Sequence, residues 1–570
     1  MNIELKTIIR KAYKLLWNPR QLRKRLMISV NDFKDFLIYK KAVLPYRRIL
    51  TSMPSGIGGG LLIVSGRGMN VLWAQIWTLL SLCGRANNLK PYVLTTRAQK
   101  KLNRYFSLLN IELLYLEELL DQTNISLPHD FLSKLDVAMT FSDFRSLTLD
   151  NIPIGDIALS TYCRHHGTGL VDTAQKEVRD NVRQWIETVW KAANVAYNIY
   201  DQYDIRATYH TEVFMEEYGG FYYAALNAKL KVIRFAGTVR DDAYIVQQRT
   251  WQYDRLHHAA LTHASWDIIK ALPSISIVHD ELMENFKHRY GNKWHRSKRN
   301  QPNTQILDIA LAKAELGIPE DRKVAVVYSH ILYDTIFFFG TDLFKDYATW
   351  LIETVKEAIL NDKLEWFIKV HPSNVWRGEM GVIFNERYEE ERLIEENFGD
   401  LPSHVHIVPA NSTISPMTWM QLADVGITVR GTSGLEMAAL GRNVVTAGTG
   451  RYEGRGFTND PQTQEEYREL LQRLPEITEI TSAQTELAQR YAHGIFILKP
   501  FTISSLKPRL RSGIKSVAAS DDLLYVPRPI TSKELPSDLS ELANFMLNNE
   551  REDLLSHEGI VFKSYIAGVK

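Results

Sequence analysis

The sequence predicts an α/β protein of two doubly wound parallel-sheet domains, followed by a C-terminal helical segment. Strand-like and helix-like runs alternate from residue 56, a second such series begins after residue 305, and a polar basic stretch separates the two. At about 100–200 residues per domain, a chain of 570 residues is long enough for several domains. We expect segment boundaries at 1–50, 51–300, 301–480 and 481–570.

Composition excludes several classes of protein. The chain is 45% hydrophobic and 24% charged, with 68 Lys and Arg residues against 66 Asp and Glu residues, as in an ordinary globular protein. A nucleic-acid binder should be strongly basic, so no nucleic-acid partner is expected. Cys83 and Cys163 stand far apart, which indicates a reducing compartment and no thiolate metal site. Because no signal peptide or membrane-spanning run is recognisable, we expect a cytoplasmic protein.

The first 50 residues are strongly basic. They contain 13 Lys and Arg residues and only three acidic residues, a local charge of +10. Apolar residues recur at helical spacing from Leu5 to Leu16, while Lys6 and Arg10 lie on the opposite face. This pattern predicts an amphipathic helix within residues 1–25 that binds an anionic surface at the inner face of the cell membrane. The alternative is a helix that packs on the protein with its basic face in solvent.

The first α/β domain begins with a βαβ unit. GGGLLIVSGRGMNVLWAQIWTLLSLCG predicts a strand, a turn and a helix, and KPYVLTT predicts the next strand. Gly66 and Gly68 resemble half of a dinucleotide-binding fingerprint, but the G-x-G-x-x-G pattern is incomplete, which favours a tight turn or a close ligand approach. Further strands are expected at 156–160, 205–210 and 231–235, and helices at 181–200, 221–228, 257–271 and 280–289.

The best linker candidate is the polar basic stretch HRYGNKWHRSKRNQPNTQ at 288–305. The segment after it predicts the order β-α-β-β-α-β-α-β, in which VAVVYS, LEWFIKVHP, HVHIVP, GITVR and NVVTAG supply the strands. Parallel strands bring their carboxyl ends to one edge, so this order predicts a second doubly wound domain with its ligand crevice at that edge. Residues after about 480 are expected to be largely helical.

Polar residues follow the strand LEWFIK. Lys369 is its last residue, and His371 stands before Pro372. Since a residue before proline is held in an extended backbone, we expect the His371 side chain at the strand tip, over the crevice where open α/β sheets bind ligands. An isolated His-Pro pair is more often a structural turn, so this pair becomes informative only together with its neighbours.

The segment VRGTSGLEMAALG predicts an anion site. Arg430 ends a strand, and a helix follows. The residues that open the helix are Gly431, Thr432, Ser433 and Gly434. Backbone N–H groups and the positive end of the helix dipole meet there, which favours a phosphate, whereas a simple helix cap would need one hydroxyl and no flanking glycines. Glu436 is expected to accept hydrogen bonds from ribose hydroxyls; otherwise it is a first-turn carboxylate favoured by the same dipole.

A third element at this edge is the glycine-rich loop TAGTGRYEGRGFTND, which follows the next strand and carries Arg451 and Tyr452. Its glycines allow the backbone to approach a ligand closely. Together the three strand-end elements offer basic groups, hydroxyls and backbone donors that suit the phosphate of a nucleotide-activated sugar. Purely structural turns are the alternative.

The order YSHILYDT, FIKVHP, ADVGITVRGTSGLEMAALGRNVVTAGTGRYEGRGF resembles the glycosyltransferases of bacterial capsule and surface polysaccharide biosynthesis, a group that includes the Kdo transferases. The resemblance covers residues 324–460, and its His-Pro and Ser/Thr motifs are also similar to those of bacterial sialyl- and polysialyltransferases. It implies the GT-B fold, with two Rossmann-like domains facing across a cleft, the donor nucleotide on the second and the acceptor on the first. It also implies a C-terminal helix that crosses back onto the first domain.

The same resemblance implies roles for individual residues. His371 matches the histidine that contacts the donor phosphate, Thr432 and Ser433 match the hydroxyl pair, and Glu436 matches the carboxylate after it. It implies no metal and no other cofactor. Neither the 165–166 nor the 257–258 histidine pair has the further ligands of a metal site.

The catalytic base is expected to be a carboxylate within hydrogen-bond reach of the acceptor hydroxyl. Three residues are candidates: Glu212 after a first-domain strand, Asp334 after VAVVYS, and Asp172 after RHHGTGLVD. Each has the alternative of a cap or turn former.

We therefore expect a metal-independent glycosyltransferase that transfers a sugar from a nucleotide-activated donor to a glycan or lipid-linked acceptor of a surface polysaccharide. CMP-Kdo or a similar ulosonic sugar is one donor class, and a UDP- or GDP-hexose is the other. The alternatives are a CDP-polyol phosphotransferase of the teichoic-acid type and a non-catalytic scaffold of polysaccharide assembly. An epimerase of the same fold would need an acidic pair that cannot be placed in the sequence.

Overall fold

The computed structural model of the chain describes residues 19–54, 58–65, 70–123, 125–135, 139–272, 275–299, 303–375, 387–511, 523–547 and 551–556. In chain order the strands are β1 Gly60–Val64, β2 Lys90–Thr95, β3 Glu112–Tyr115, β4 Ile205–His210, β5 Lys231–Gly237, β6 Ala243–Arg249, β7 Lys323–Tyr328, β8 Leu364–Lys369, β9 Val405–Val408, β10 Val425–Thr428, β11 Asn443–Thr446, β12 Pro500–Thr502, β13 Leu506–Leu510 and β14 Leu523–Pro527.

The α-helices are α1 Pro19–Val43, α2 Arg47–Leu50, α3 Val71–Ala86, α4 Lys100–Phe106, α5 Leu116–Gln122, α6 His129–Leu135, α7 Phe141–Ser146, α8 Ile154–His166, α9 Lys176–Gln202, α10 Glu216–Asn227, α11 His263–Lys270, α12 Ile275–Tyr290, α13 His295–Arg299, α14 Ile309–Leu316, α15 Tyr347–Leu360, α16 Glu389–Phe398, α17 Pro416–Leu422, α18 Thr432–Ala439, α19 Gln464–Gln472, α20 Ser482–His493 and α21 Ser537–Leu547. A π-helical turn, Gly494–Leu498, extends α20.

Two separate sheets organise the described residues. The first has the order β12-β6-β5-β4-β1-β2-β3 and is parallel from β5 to β3, while β6 and β12 run antiparallel to their neighbours. The second has the order β11-β10-β7-β8-β9 and is parallel throughout. In each sheet the chain first adds strands on one side of its first strand and then adds strands on the other side of it. The direction of winding therefore reverses between β1 and β4 and between β7 and β10. Such topological switch points open a crevice at the carboxyl ends of the strands.

This architecture confirms the predicted α/β fold of two Rossmann-like domains, the GT-B class. Every residue of β1, β10 and β11 is buried, as expected for parallel strands covered by helices on both faces. The strand expected at 205–210 is β4, and the one expected at 231–235 lies within β5.

Several local predictions differ from the structure. The helix expected at 257–271 is shorter, because α11 covers only His263–Lys270. The strand expected at 156–160 is wrong, because these residues lie in α8, whose residues from Ile154 to Cys163 are all buried. An apolar run that is buried on every side does not distinguish a helix from a strand by its periodicity. The structure also contains α16 between β8 and β9, where the pattern predicts two successive strands. Parallel neighbours need such a crossover.

Loops at the carboxyl ends of the strands join the two domains. The Gly340 N–H donates to the Arg255 carbonyl at 3.2 Å, and the His257 N–H donates to the Gly450 carbonyl at 3.0 Å. Gly340 has a φ of +58°, and a Cβ there would lie 2.2 Å from the Thr449 carbonyl oxygen, so this contact requires glycine. These two bonds join the loops after β7 and β11 of the second domain to the segment after β6 of the first.

The segment after residue 480 is mixed, since it contains β12–β14 as well as α20 and α21. It crosses back to the first sheet, where β12 pairs with β6. Lys499 and Asp553 form a fully buried ion pair with a 2.9 Å N–O distance. Asp553 also accepts hydrogen bonds from the Gln247 amide at 2.8 Å and the Thr262 N–H at 3.0 Å. Breaking a buried pair of this kind costs about 3–5 kcal/mol, so it anchors the crossing.

Some predictions concern residues outside the described ranges. Most of the basic amphipathic helix expected within residues 1–25 lies there, as do Gly66 and Gly68. Within the described ranges, none of the helices combines the length and the apolar composition that a membrane span requires.

Candidate functional site

A cavity opens at the switch point of each sheet. The first-domain cavity, of about 410 Å³, lies beyond the carboxyl ends of β1, β4 and β5. The second-domain cavity, of about 180 Å³, lies beyond the ends of β7, β8 and β10. The position of both cavities follows from the strand order alone.

The second-domain cavity brings together six of the ten residues that the sequence predicts for ligand binding. These are Lys369, His371, Gly431, Thr432, Ser433 and Glu436. The other four, Arg430, Gly434, Arg451 and Tyr452, lie behind the cavity wall and shape it.

Lys369 is the most unusual group in this cavity. It ends β8, is only 5% exposed and lines the cavity. Within the described residues, nothing forms a hydrogen bond or an ion pair with its ammonium group, and burial lowers its pKa to about 8. A buried cation without a partner costs free energy. The cavity therefore contains a cation that lacks an anion.

Helix α18 begins at the same cavity. Gly431 is its N-cap residue, and the Gly431 N–H donates to Thr428 Oγ1 at 3.0 Å. Within the described residues, the N–H groups of Thr432 and Ser433 have no acceptor, so the positive end of the helix dipole faces the cavity. Unpaired N–H groups beside an unpaired ammonium group form an anion site.

Arg451 and Tyr452 brace this turn. Arg451 donates to the Arg430 carbonyl at 3.0 Å and to Thr432 Oγ1 at 2.7 Å. The Tyr452 hydroxyl donates to the Gly431 carbonyl at 2.7 Å. A Cβ on Gly434 would lie 2.2 Å from that hydroxyl, which explains the glycine. These residues hold the helix start in place, and none of the three lines the cavity.

Arg430 points away from the cavity, although the sequence predicts that it binds the ligand. Its buried guanidinium forms an ion pair with Asp342 and donates to the Tyr347 hydroxyl at 3.2 Å. Only its backbone N–H reaches the site, where it donates to His330 Nε2 at 3.3 Å. Burial and the Arg430 charge hold the pKa of His330 well below its usual range, so this imidazole is neutral and carries its hydrogen on Nδ1.

His371 lies at the strand tip, as the His-Pro pair predicts. Its Nδ1 accepts a hydrogen bond from the Ser373 N–H at 3.2 Å, which leaves Nε2–H as the donor of the neutral ring. Glu390 stabilises the turn that follows His371, because its carboxylate accepts two hydrogen bonds from the Asn374 amide at 2.9 and 3.1 Å. Burial raises the pKa of Glu390 to about 7, although the Asn374 hydrogen bond acts against it.

Glu436 already has partners from the first domain's last long helix. Arg289, near the end of α12, forms an ion pair with it at 2.6 Å, and the Tyr290 hydroxyl donates to it at 2.9 Å. Both partners also line the cavity. The sequence predicts a linker at 288–305 and therefore does not indicate that Arg289 and Tyr290 belong to the site.

The first-domain cavity contains Glu212, which follows β4. Burial raises the pKa of this carboxyl, with Asp334 adding to the effect and Arg164 and Arg234 opposing it. Asp334 reaches across from the second domain and forms an ion pair with Arg164 at 2.6 Å. A buried carboxyl with a raised pKa suits a general base.

Asp172 lies elsewhere, at the surface. It accepts hydrogen bonds from the Ala174 N–H and the Gln175 amide, both at 3.0 Å. Its carboxylate therefore stabilises the turn before α9 and does not line either cavity.

Arg234, a buried arginine in the first-domain cavity, is another residue that is not among those predicted from the sequence. The sequence does contain an indication of this residue, because Arg234 is the one charged residue in the otherwise apolar strand VIRFAG. Among the described residues, no group of three or more His, Cys, Asp or Glu side chains could hold a metal ion.

Comparison with known proteins gives structural similarities only. The chain matches no protein-family model, and no curated protein matches it. A Kdo transferase, KpsC of Thermosulfurimonas dismutans (beta Kdo 2,4 transferase), is 15% identical with a TM-score of 0.32, over 52% of this chain and 82% of that one. The UDP-GlcNAc 2-epimerase of Neisseria meningitidis is 14% identical with a TM-score of 0.27, over 76% and 96%. The glycosyltransferase SnogD of Streptomyces nogalater is 12% identical with a TM-score of 0.23, over 78% and 96%.

Replacing Lys369 with Met should weaken the binding of inorganic pyrophosphate to the intact protein about tenfold or more, because a charge-assisted hydrogen bond is lost. The free energy of unfolding should not fall, since the wild-type ammonium group is buried without a partner. In the wild type, pyrophosphate affinity should decline as pH rises through about 8, where Lys369 loses its proton. Calorimetric titration between pH 7 and 9.5 measures both effects.

The matched control is Lys363→Met, which removes an exposed lysine just before the same strand and should change neither quantity. Unchanged pyrophosphate affinity in Lys369→Met would contradict the anion site.

Proposed function

We propose that the protein is a glycosyltransferase that binds the phosphate of a nucleotide-activated sugar in the second-domain cavity. The observation that carries this proposal is the unpaired Lys369 beside the free N–H groups of α18. A leaving nucleotide develops negative charge on its phosphate, and a cation and a helix N-terminus stabilise that charge without a metal ion. His330 and His371 line the same cavity, and both imidazoles offer a ring N–H as a donor group.

The acceptor binds in the first-domain cavity, and Glu212 acts as the base. Its carboxylate accepts the proton of the acceptor hydroxyl as the hydroxyl oxygen forms a bond to the anomeric carbon. The bond from that carbon to the phosphate oxygen breaks, and the nucleotide leaves with its electron pair, held by Lys369 and α18. Asp334 and Arg164 position the carboxylate electrostatically.

The proposed acceptor is a glycan or lipid-linked precursor of a bacterial surface polysaccharide. The proposed donor is CMP-Kdo or a similar ulosonic sugar, with a UDP- or GDP-hexose as the other donor class. A CDP-polyol phosphotransferase would use the same cavity but would attack phosphorus, so its product would retain the phosphate. A scaffold without turnover would bind no nucleotide.

A thermal-shift screen against CMP, CDP, UDP, GDP and ADP is the first test of the nucleotide site. A nucleotide at about 100 times its dissociation constant should stabilise the native state by about 2.7 kcal/mol. The shift should shrink in His371→Ala, because that variant loses the Nε2–H donor. A thermal shift with CMP would indicate an ulosonic-acid donor, and a shift with CDP would indicate a polyol-phosphate donor. A shift with UDP or GDP would indicate a hexose donor. No shift with any of the five would contradict the proposal and favour the scaffold.

Replacing Glu212 with Gln should lower kcat about 10²–10⁴-fold while the affinity for the nucleotide stays unchanged, because the amide cannot accept the hydroxyl proton. Release of the nucleotide from its sugar donor in the presence of acceptor measures the rate. Asp172→Asn, which alters the surface turn, should retain the wild-type rate. Equal losses in the two variants would argue against Glu212 as the base.

We further propose that the protein works at the cytoplasmic face of the membrane. The local charge of +10 in residues 1–50 favours an anionic lipid surface. Helix α1 adds an exposed apolar stripe of Val30, Phe33 and Leu37, next to the exposed Lys34 and Lys40. Apolar and basic residues on one exposed helix are typical of interfacial binding.

Vesicle flotation tests this location. The full chain should float with vesicles that contain 30% phosphatidylglycerol and should stay at the bottom with pure phosphatidylcholine. Changing Phe33 and Leu37 to Ser should reduce the floating fraction, because the apolar contact is lost. The exposed-residue variant Leu360→Ser, on the second domain, is the matched control. Equal behaviour with both vesicle types would refute an electrostatic membrane surface.

A further inference from the structure

We propose that the first-domain cavity recognises an anionic group on the acceptor, a carboxylate or a phosphate, and that Arg234 is the residue that binds it. This inference rests on the proposed function, because it names the class of acceptor that enters the cavity beside Glu212.

Arg234 lies in the middle of β5, with its side chain in the cavity wall. It is only 3% exposed. Within the described residues, its guanidinium has no hydrogen-bond or ion-pair partner, and its Nε and Nη1 atoms are fully buried. The nearest aromatic ring, that of Phe339, lies 5.5 Å away. A buried guanidinium with unused donors favours an anion in direct contact, and no carboxylate of the described residues forms an ion pair with it.

A second buried arginine shows how the fold satisfies such a group when its role is structural. Arg249, on the adjacent strand β6, is also 3% exposed. Its Nη1 donates to the Tyr253 carbonyl at 2.8 Å and to the Leu256 carbonyl at 2.9 Å, which holds the turn after β6. Within the described residues, the Arg234 guanidinium donates no hydrogen bond to a backbone carbonyl. Its position is therefore explained by a ligand and not by the fold.

Two of the other three charged groups of the cavity are already paired, and the third is Glu212. Arg164 forms its ion pair with Asp334, and Glu216 forms one with His165 at 2.6 Å. Glu212 influences the pKa of Arg234 but forms no ion pair with it. Burial and the neighbouring Arg249 lower the pKa of Arg234 to about 9, so the guanidinium is still charged at neutral pH. Arg234 is thus the charge that the ligand must balance.

Two neighbours fit an acidic sugar. Within the described residues, the buried His258 Nδ1 has no partner, and burial keeps this imidazole neutral by holding its pKa well below the usual range. Trp73 and Trp77 line the same cavity as a stacked pair with ring centroids 5.2 Å apart. Trp77 is fully buried, but Trp73 is partly exposed and can accept the apolar face of a sugar ring, while Arg234 takes its anion.

Calorimetric titration with three probes tests the proposal: D-glucuronate, D-glucose 6-phosphate and neutral D-glucose. One or both charged sugars should bind at least tenfold more tightly than glucose. Glucuronate preference would identify a carboxylate acceptor, and glucose 6-phosphate preference a phosphate acceptor. The preference should disappear in Arg234→Gln and persist in Lys369→Met, which assigns it to the first-domain cavity.

Thermal unfolding separates a binding role from a structural one. Arg234→Gln should melt at or above the wild-type temperature, because it removes an unpaired buried charge. Arg249→Gln should melt at a lower temperature, because it removes two hydrogen bonds to backbone carbonyls. A structural role for Arg234 would lower the melting temperature of both variants.

The outcomes also separate this inference from the proposed function. Equal affinity for the three probes, no binding of any of them, or an unchanged preference in Arg234→Gln would overturn the inference. Nucleotide binding in the screen would then still support the glycosyltransferase. If none of the nucleotides bound but the Arg234-dependent preference for charged sugars were observed, the donor assignment would be refuted. The first-domain cavity would then still be supported as an anion-binding site.

Discussion

The order of strands in the two parallel sheets is the constraint on which the rest of this protein depends. Each sheet reverses its winding once, between β1 and β4 and between β7 and β10, and a crevice must open at each reversal. Loops that leave the strands of these sheets carry several of the candidate functional side chains, among them Glu212, His371 and Asp334. The site is therefore a consequence of topology, and the loops supply its chemistry.

Both crevices hold a buried cation that the described structure leaves unpaired, Lys369 in one and Arg234 in the other. Two other buried cations are paired, Arg430 with Asp342 and Lys499 with Asp553. A charge without a partner destabilises the native state, and strained or unpaired groups of this kind concentrate where ligands bind. The contrast between paired and unpaired cations separates the residues that maintain the fold from those available to a ligand.

The domain boundary couples the two cavities. Asp334 comes from the loop after β7 but stands beside Arg164 and raises the pKa of Glu212 in the other domain. The His257 N–H donates to the Gly450 carbonyl, and the residue after Gly450, Arg451, braces the start of α18. The residue after His257, His258, lines the first-domain cavity. A change in the spacing of the domains would therefore alter the surroundings of Glu212 and the start of α18 together.

The sequence alone determined the fold class, the strand tips with His371, and the glycine-flanked start of α18, because these depend on local backbone rules and on alternating runs of strand and helix. It could not distinguish the buried helix α8 from a strand, since burial on all sides removes the periodic signal. Only the tertiary structure decided that Lys369 enters the cavity while Arg430 turns away toward Asp342, that Asp172 stabilises a turn, and that Arg289 and Arg234 belong to the sites. The physical reason is that the direction and pairing of a side chain are set by neighbours distant in sequence, and a charge is structural or functional according to whether such a neighbour balances it.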